Sequence, residues 1–198
     1  EFRRVLFRSM NNISIPWTEK YRPNNFEQIV LSDINKQILN NIINLKIFPN
    51  LMFYGPPGTG KTTTIINLIK KYQETHNEVG KDFIIHLNAS DDRGIDIIRN
   101  QISQFVNSKT LFKTGLKFVI LDEVDYMTKN AQQALKNLIE INNNNVRFCL
   151  ICNYINKIEE SLREQCMLLR FNQLPENKII NFLSKINKLE NLNYSLDQ

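Results

Sequence analysis

Apolar residues along the chain gather in short, nearly unbroken runs, and between the runs they recur every three or four positions. The runs at 51–54, 83–88, 118–122, 147–152 and 168–171 read as strands. Uninterrupted apolar character is what a strand buried on both faces requires. Helical spacing over 34–47, 62–71, 95–105 and 131–141 fills the intervals. Strands alternating with helices imply an α/β fold with a five-stranded parallel sheet covered on both sides. After Leu174-Pro175-Glu176 the character changes. Pro175 suits the start of a helix, and Ile179, Ile180, Leu183 and Ile186 follow at helical spacing, as in the opening helix of a second, all-helical unit. The expected division is an α/β core over 10–173 and the incomplete beginning of a helical domain over 174–198. The four asparagines Asn142 to Asn145 read as a surface loop between a helix and a strand.

The richest local pattern lies between the first run and its helix. Gly55-Pro56-Pro57-Gly58-Thr59-Gly60-Lys61-Thr62 fits G-x-x-x-x-G-K-[ST], preceded by a strand and followed by a helix that takes in Thr63. That context gives the pattern its meaning: backbone N–H groups can turn toward a phosphate at a helix N-terminus. Lys61 then reaches the β- and γ-phosphates, and the Thr62 hydroxyl is a ligand for Mg²⁺. An ordinary Gly-Pro turn is the competing reading, and it accounts for the glycines but not for the Lys-Thr pair in this setting. A second acidic element closes the run at 118–122, where Asp122 and Glu123 emerge at the C-terminal end of a buried strand. Asp122 is placed to hold Mg²⁺ through its water shell, and Glu123 to polarise an attacking water.

Composition narrows the class without choosing the function. The 198 residues are 42% hydrophobic and 23% charged, as in ordinary globular chains, and no apolar run is long enough to cross a membrane. Three cysteines and the lack of a signal-like segment suit a reducing compartment. Cys149 and Cys152 are three residues apart on one strand and face opposite sides, so they read as core thiols rather than metal ligands. His76 is expected in a polar linker and His86 inside a strand, neither with a catalytic partner. Residues 1–9 run directly into Met10 and end in Leu-Phe-Arg-Ser, the translation of a common sequencing-adapter end. They are treated as a non-native leader. With its three Arg and one Glu set aside, the formal charge falls from +5 to about +3. Nucleic-acid binding would therefore rest on placed residues rather than bulk charge.

Four segments together resemble replication factor C small subunits, the AAA+ P-loop NTPases of the eukaryotic clamp loader. They are Trp17-Thr18-Glu19-Lys20-Tyr21-Arg22-Pro23, the phosphate loop, Asn88-Ala89-Ser90-Asp91-Asp92-Arg93-Gly94-Ile95-Asp96, and Leu121-Asp122-Glu123-Val124-Asp125. The resemblance spans about 15–174. Thr110-Leu111-Phe112, Gly115 and the stretch from Arg147 to Tyr154 look most like the branch numbered five in vertebrates and three in budding yeast. It implies an ATPase that uses ATP and Mg²⁺ within a hetero-pentamer of replication factor C subunits. That assembly loads the sliding clamp PCNA onto primer–template DNA in the nucleus, in replication and repair. It implies that Tyr21, Arg22 and Pro23 lie over the adenine, with Ile29 and Val30 as an apolar wall, and that Asn153 senses the γ-phosphate. It implies further that Arg93 and Arg99, and more weakly Lys136, follow the DNA backbone. Without the resemblance, 17–23 would be a plain N-terminal arm and the arginines solvated surface.

One position departs from the family. Ser-Arg-Cys before the last core strand, whose arginine reaches the neighbour's γ-phosphate, is replaced by Glu164-Gln165-Cys166. Gln165 brings no positive charge, so either the neighbouring site is weakened or Arg163 substitutes; the first is favoured, because a two-residue shift redirects the side chain. A nucleotide-binding subunit with little hydrolysis of its own is the alternative to an active ATPase. A branch-migration motor or helicase loader would carry different motifs around Trp17 and Arg93.

Overall fold

The computed structural model describes residues 16–77, 83–90, 98–108, 115–142 and 144–192. A short helix, α1 (Trp17–Lys20), leads into α2 (Asp33–Leu45), whose first turn is capped by Ser32 Oγ accepting from the Asn35 N–H at 3.3 Å. The sheet follows, with β1 (Leu51–Tyr54), β2 (Ile84–Asn88), β3 (Lys117–Asp122), β4 (Val146–Cys152) and β5 (Met167–Arg170) in the order β2-β3-β4-β1-β5. All neighbouring strands run parallel.

Side chains alternate across each strand, and both faces are covered. Leu51, Phe53, Phe118, Ile120, Cys149 and Ile151 pack with α2 and α3 (Lys61–His76) through Leu39, Ile42, Ile65, Leu68 and Tyr72. Met52, Val119, Leu121, Phe148, Leu150 and Cys152 pack on the other face. There they meet α4 (Ser103–Asn107), α5 (Lys129–Asn142) and α6 (Glu160–Arg163) through Val106, Leu135, Ile139 and Leu162. Cys149 and Cys152 thus belong to different layers. Burial pushes the Cys152 thiol up to about 12, which suits an inert core residue.

One helical expectation is corrected and a second is met in its described part. The helix after the phosphate loop does not stop at Lys71 but continues to His76, so His76 is helical rather than in a linker. Its Nε2 lies 2.8 Å from Ile43 O, and the buried Tyr72 and Gln73 keep this last turn on the core. The helix ends where Asn77 turns left-handed, φ 55°. The second concerns 95–105. Of this stretch the described part is a wide turn, Ile98–Ile102, running into α4, with Ile102 buried and Phe105 against the core.

The parallel register brings the strand ends together. Tyr54 pairs with Cys152 and Arg170, and Asn88 with Asp122, so the segments leaving β1, β3 and β4 open on one edge of the sheet. That edge is where ligands bind in open α/β sheets. The final helix, α7 (Glu176–Leu189), starts after Pro175 as its sequence predicts. Ile186 is its only buried residue, while Ile179, Ile180, Phe182 and Leu183 stay exposed. Three hydrogen bonds fasten it and its C-terminal cap to the N-terminal segment: Lys178 Nζ donates to Leu31 O at 3.1 Å, and Lys20 Nζ and the Tyr21 hydroxyl both donate to Glu190 Oε1.

Candidate active site

The loop between β1 and α3 is shaped by its glycines. At Gly55, φ 142°, a Cβ would stand 1.9 Å from Phe171 O, because the Phe171 N–H donates to Tyr54 O and draws the exits of β1 and β5 together. Gly58 and Gly60 differ: both have positive φ, yet a Cβ on either would meet nothing within 4 Å. Here the backbone conformation, not space, requires glycine, and the volume above the loop is open. No side chain caps α3. Its first-turn N–H groups therefore face that open volume at the positive end of a four-turn helix, an arrangement that fits a phosphate.

Lys61 is 6% exposed, and its ammonium donates to Gly55 O and Pro56 O, each at 2.8 Å, and to Asn153 Oδ1 at 2.9 Å. Burial holds its pKa below the usual lysine value, with Asp122 opposing the shift. Thr59 Oγ1, bonded to Pro56 O at 2.9 Å, stiffens the loop from within. Thr62 Oγ1 donates to Asp122 Oδ2 at 2.7 Å, so a hydroxyl and a carboxylate from two elements converge. No group of three or more His, Cys, Asp or Glu among the described residues forms a metal cage. Two oxygen ligands with room for water and phosphate are what Mg²⁺ takes, so the residues fit that ion.

Glu123 follows Asp122 with φ 58°, its N–H accepted by Asp122 Oδ1 at 3.0 Å. It lines the same cleft as Lys61, Thr62, Asp122 and Asn153, a space of about 590 Å³. The N-terminal segment closes another side. Arg22 Nε donates to Thr63 Oγ1 at 3.1 Å and Asn67 Nδ2 to Pro23 O at 3.0 Å, which lay 21–23 along the first turns of α3. Trp17, Tyr21 and, from α7, Phe182 complete the lining.

Not every expected residue joins this cleft. Val30 instead lines a separate hollow of about 170 Å³ with Thr59, Leu174 and Lys178, while Ile29 packs on the core. The chain turns through Phe26–Gln28 and into α2, carrying Val30 to the other side of the loop. Arg93 lies outside the described residues. For Arg99 only the backbone, within Ile98–Ile102, is described. Lys136 is engaged with Glu140 at 3.4 Å, one turn along α5. Gln165 Nε2 donates to the same Glu140 at 3.3 Å, and Arg163 Nε is buried without a partner among the described residues.

Two side chains at the site were given no role by sequence reasoning. Gln132, 2% exposed, donates to Met127 O and Lys157 O and accepts the Glu159 N–H, joining the turn after β3 to the turn after β4. Asp125, 5% exposed, accepts the N–H groups of Asn153 and Tyr154. Only its place in the acidic run was a signal for Asp125; nothing in the sequence marks Gln132.

Residues 51–174 match the family described as "ATPase family associated with various cellular activities (AAA)". The chain is 42% identical over 184 residues to replication factor C subunit 3 of Schizosaccharomyces pombe, covering 93% of this chain and 53% of that protein. It is 43% identical to human replication factor C subunit 5, with 93% and 54% covered. The chain spans about half the length of the curated relatives it matches. A solved structure of Thermotoga maritima RuvB, titled a Holliday junction branch migration motor, superposes with a TM-score of 0.65 at 13% identity. That match covers 88% of this chain and 56% of the other, a likeness of fold alone. The chain belongs to the AAA family of ATPases, and the relatives it resembles in sequence are replication factor C small subunits.

Proposed function

We propose that this chain carries the ATP-binding and ATP-hydrolysing core of a replication factor C small subunit, working in a hetero-pentamer that loads the sliding clamp PCNA onto primer–template DNA. The observation that supports it most is the convergence of Lys61, Thr62, Asp122, Glu123 and Asn153, from the ends of three adjacent strands, on one cleft. Lys61 places a desolvated positive charge beside the loop, where it binds and orients the terminal phosphates. Thr62 and Asp122 would hold Mg²⁺, which would supply positive charge to neutralise the phosphate oxygens. Glu123 accepts a proton from the attacking water, and Asn153, with both a donor and an acceptor on its amide, orients that water or the γ-phosphate. Arg93 and Arg99 serve the DNA backbone, and a neighbour supplies the trans-acting cation.

Glu123→Gln tests the reading. The amide keeps shape and reach but not basicity, so in the assembled complex ATP binds with ordinary affinity while single-turnover hydrolysis at this site falls at least about a hundredfold. Unchanged hydrolysis would leave a nucleotide-binding structural subunit as the better description.

A further inference from the structure

The geometry points to Asp125 as a positioning residue for hydrolysis, acting through the Asn153 turn; this rests on the reading that the site hydrolyses ATP. Asp125 is a buried carboxylate, in the short turn Val124–Tyr126, that no step above uses. Among the described residues it forms no ion pair. Its two oxygens are divided instead between two consecutive backbone donors, Asn153 N–H at 3.4 Å and Tyr154 N–H at 3.2 Å. A carboxylate gripping adjacent amides fixes both peptide planes, and so the direction in which the Asn153 side chain leaves the backbone.

That direction matters because Asn153 Oδ1 accepts from Lys61 Nζ at 2.9 Å. With the carbonyl oxygen so engaged, the Nδ2 donors remain for a phosphate or water oxygen. The links run Asp125, Asn153, Lys61, from the acidic turn that carries Glu123 to the ammonium beside the phosphate loop. At the surface the same two turns meet again, where Lys157 Nζ lies 5.3 Å from the Tyr126 ring centroid and 4.9 Å from that of Tyr154. Asp125 therefore sets the distance between base and sensor without itself lining the cleft.

The test is a double-mutant cycle in the assembled complex. Asp125→Asn keeps the volume but turns one acceptor into a donor facing an N–H. Its expected effect is a loss of about tenfold or more in single-turnover hydrolysis, with the dissociation constant of a fluorescent ATP analogue changed less than about threefold. In an Asn153→Ala background the same substitution should add less than about a twofold loss. Fully multiplicative losses, a parallel loss of affinity, or unchanged hydrolysis would each overturn the assignment. Should Asp125→Asn fail to assemble, amide hydrogen exchange on the unmodified protein decides. Protected Asn153 and Tyr154 N–H groups are expected, and exchange as fast as in open loops overturns the inference. The parent reading fails separately, through Glu123→Gln.

Discussion

Removing the Lys61 ammonium is the perturbation whose size the structure constrains best. In the folded protein Nζ already has three oxygen acceptors within 2.9 Å, so binding a nucleotide exchanges some of those bonds for phosphate bonds rather than adding them to a bare charge. The net value is then that of about one charge-assisted hydrogen bond, about 1.5–3 kcal/mol. Lys61→Ala should weaken ATP affinity about 10- to 150-fold by that arithmetic. Titration of a fluorescent ATP analogue, with melting temperature as a check on folding, measures it. Affinity within about threefold of the unmodified protein would refute the assignment of Lys61 to the phosphates. The pH dependence has a definite sign as well. Burial lowers the Lys61 pKa below 10.5, and phosphate oxygens raise it again, so binding takes up a proton in the alkaline range and affinity falls as pH rises there. Stability moves the other way. The folded-state pKa lies below the unfolded one, so the cost of holding this charge is full below the folded value and is relieved as pH rises from it toward 10.5.

Gly55→Ala should prevent folding or lower the melting temperature by many degrees, since its Cβ would lie 1.9 Å from Phe171 O; near-normal melting in calorimetry would contradict the close approach of β1 and β5. Replacing Arg93 and Arg99 by Ala in the full complex should weaken primer–template binding about equally across sequences and make its salt slope shallower by roughly one unit per lost contact. An unchanged slope returns both to ordinary surface residues. Gln165→Arg should speed hydrolysis at the neighbouring subunit's site, measured in an assembly where only that site is intact, because a guanidinium there stabilises charge on the transferring phosphoryl group. If Arg163→Ala slows that site instead and Gln165→Arg does nothing, Arg163 holds the role.

The parts of this fold legible in the sequence are those in which burial leaves a periodic trace. Buried on both faces, β1, β3 and β4 show as nearly unbroken apolar runs, and their observed bounds fall within a residue of the expected ones. For α5 the bounds are within two residues, Lys129–Asn142 against 131–141. The end of α3 was missed because Gln73, Glu74 and Thr75 interrupt the apolar spacing, although Tyr72 and Gln73 are buried. Four-residue helices such as α1 and α6 are too short for any period to register. The phosphate loop is local in sequence, so its neighbours could be named in advance. Contacts such as Asp125 with Tyr154, or Tyr21 with Glu190, join residues far apart along the chain and leave no pattern to read. Val30 illustrates the limit: an apolar residue near a motif is not thereby in the motif's cleft.

Among the described residues Glu123 is one of four non-glycine residues with positive φ, and the other three, Lys46, Asn77 and Asn191, stand at the C-terminal ends of helices, where that conformation is ordinary. At the end of a strand nothing comparable offsets the cost of roughly 1 kcal/mol or more that a bulky side chain bears there. Folding and the chemistry proposed for Glu123 thus prefer different residues at position 123. Selection of random variants for thermal tolerance alone should drift toward Gly or Asn at this site and yield hardier proteins that bind nucleotide and do nothing with it, whereas selection for growth should hold Glu in place.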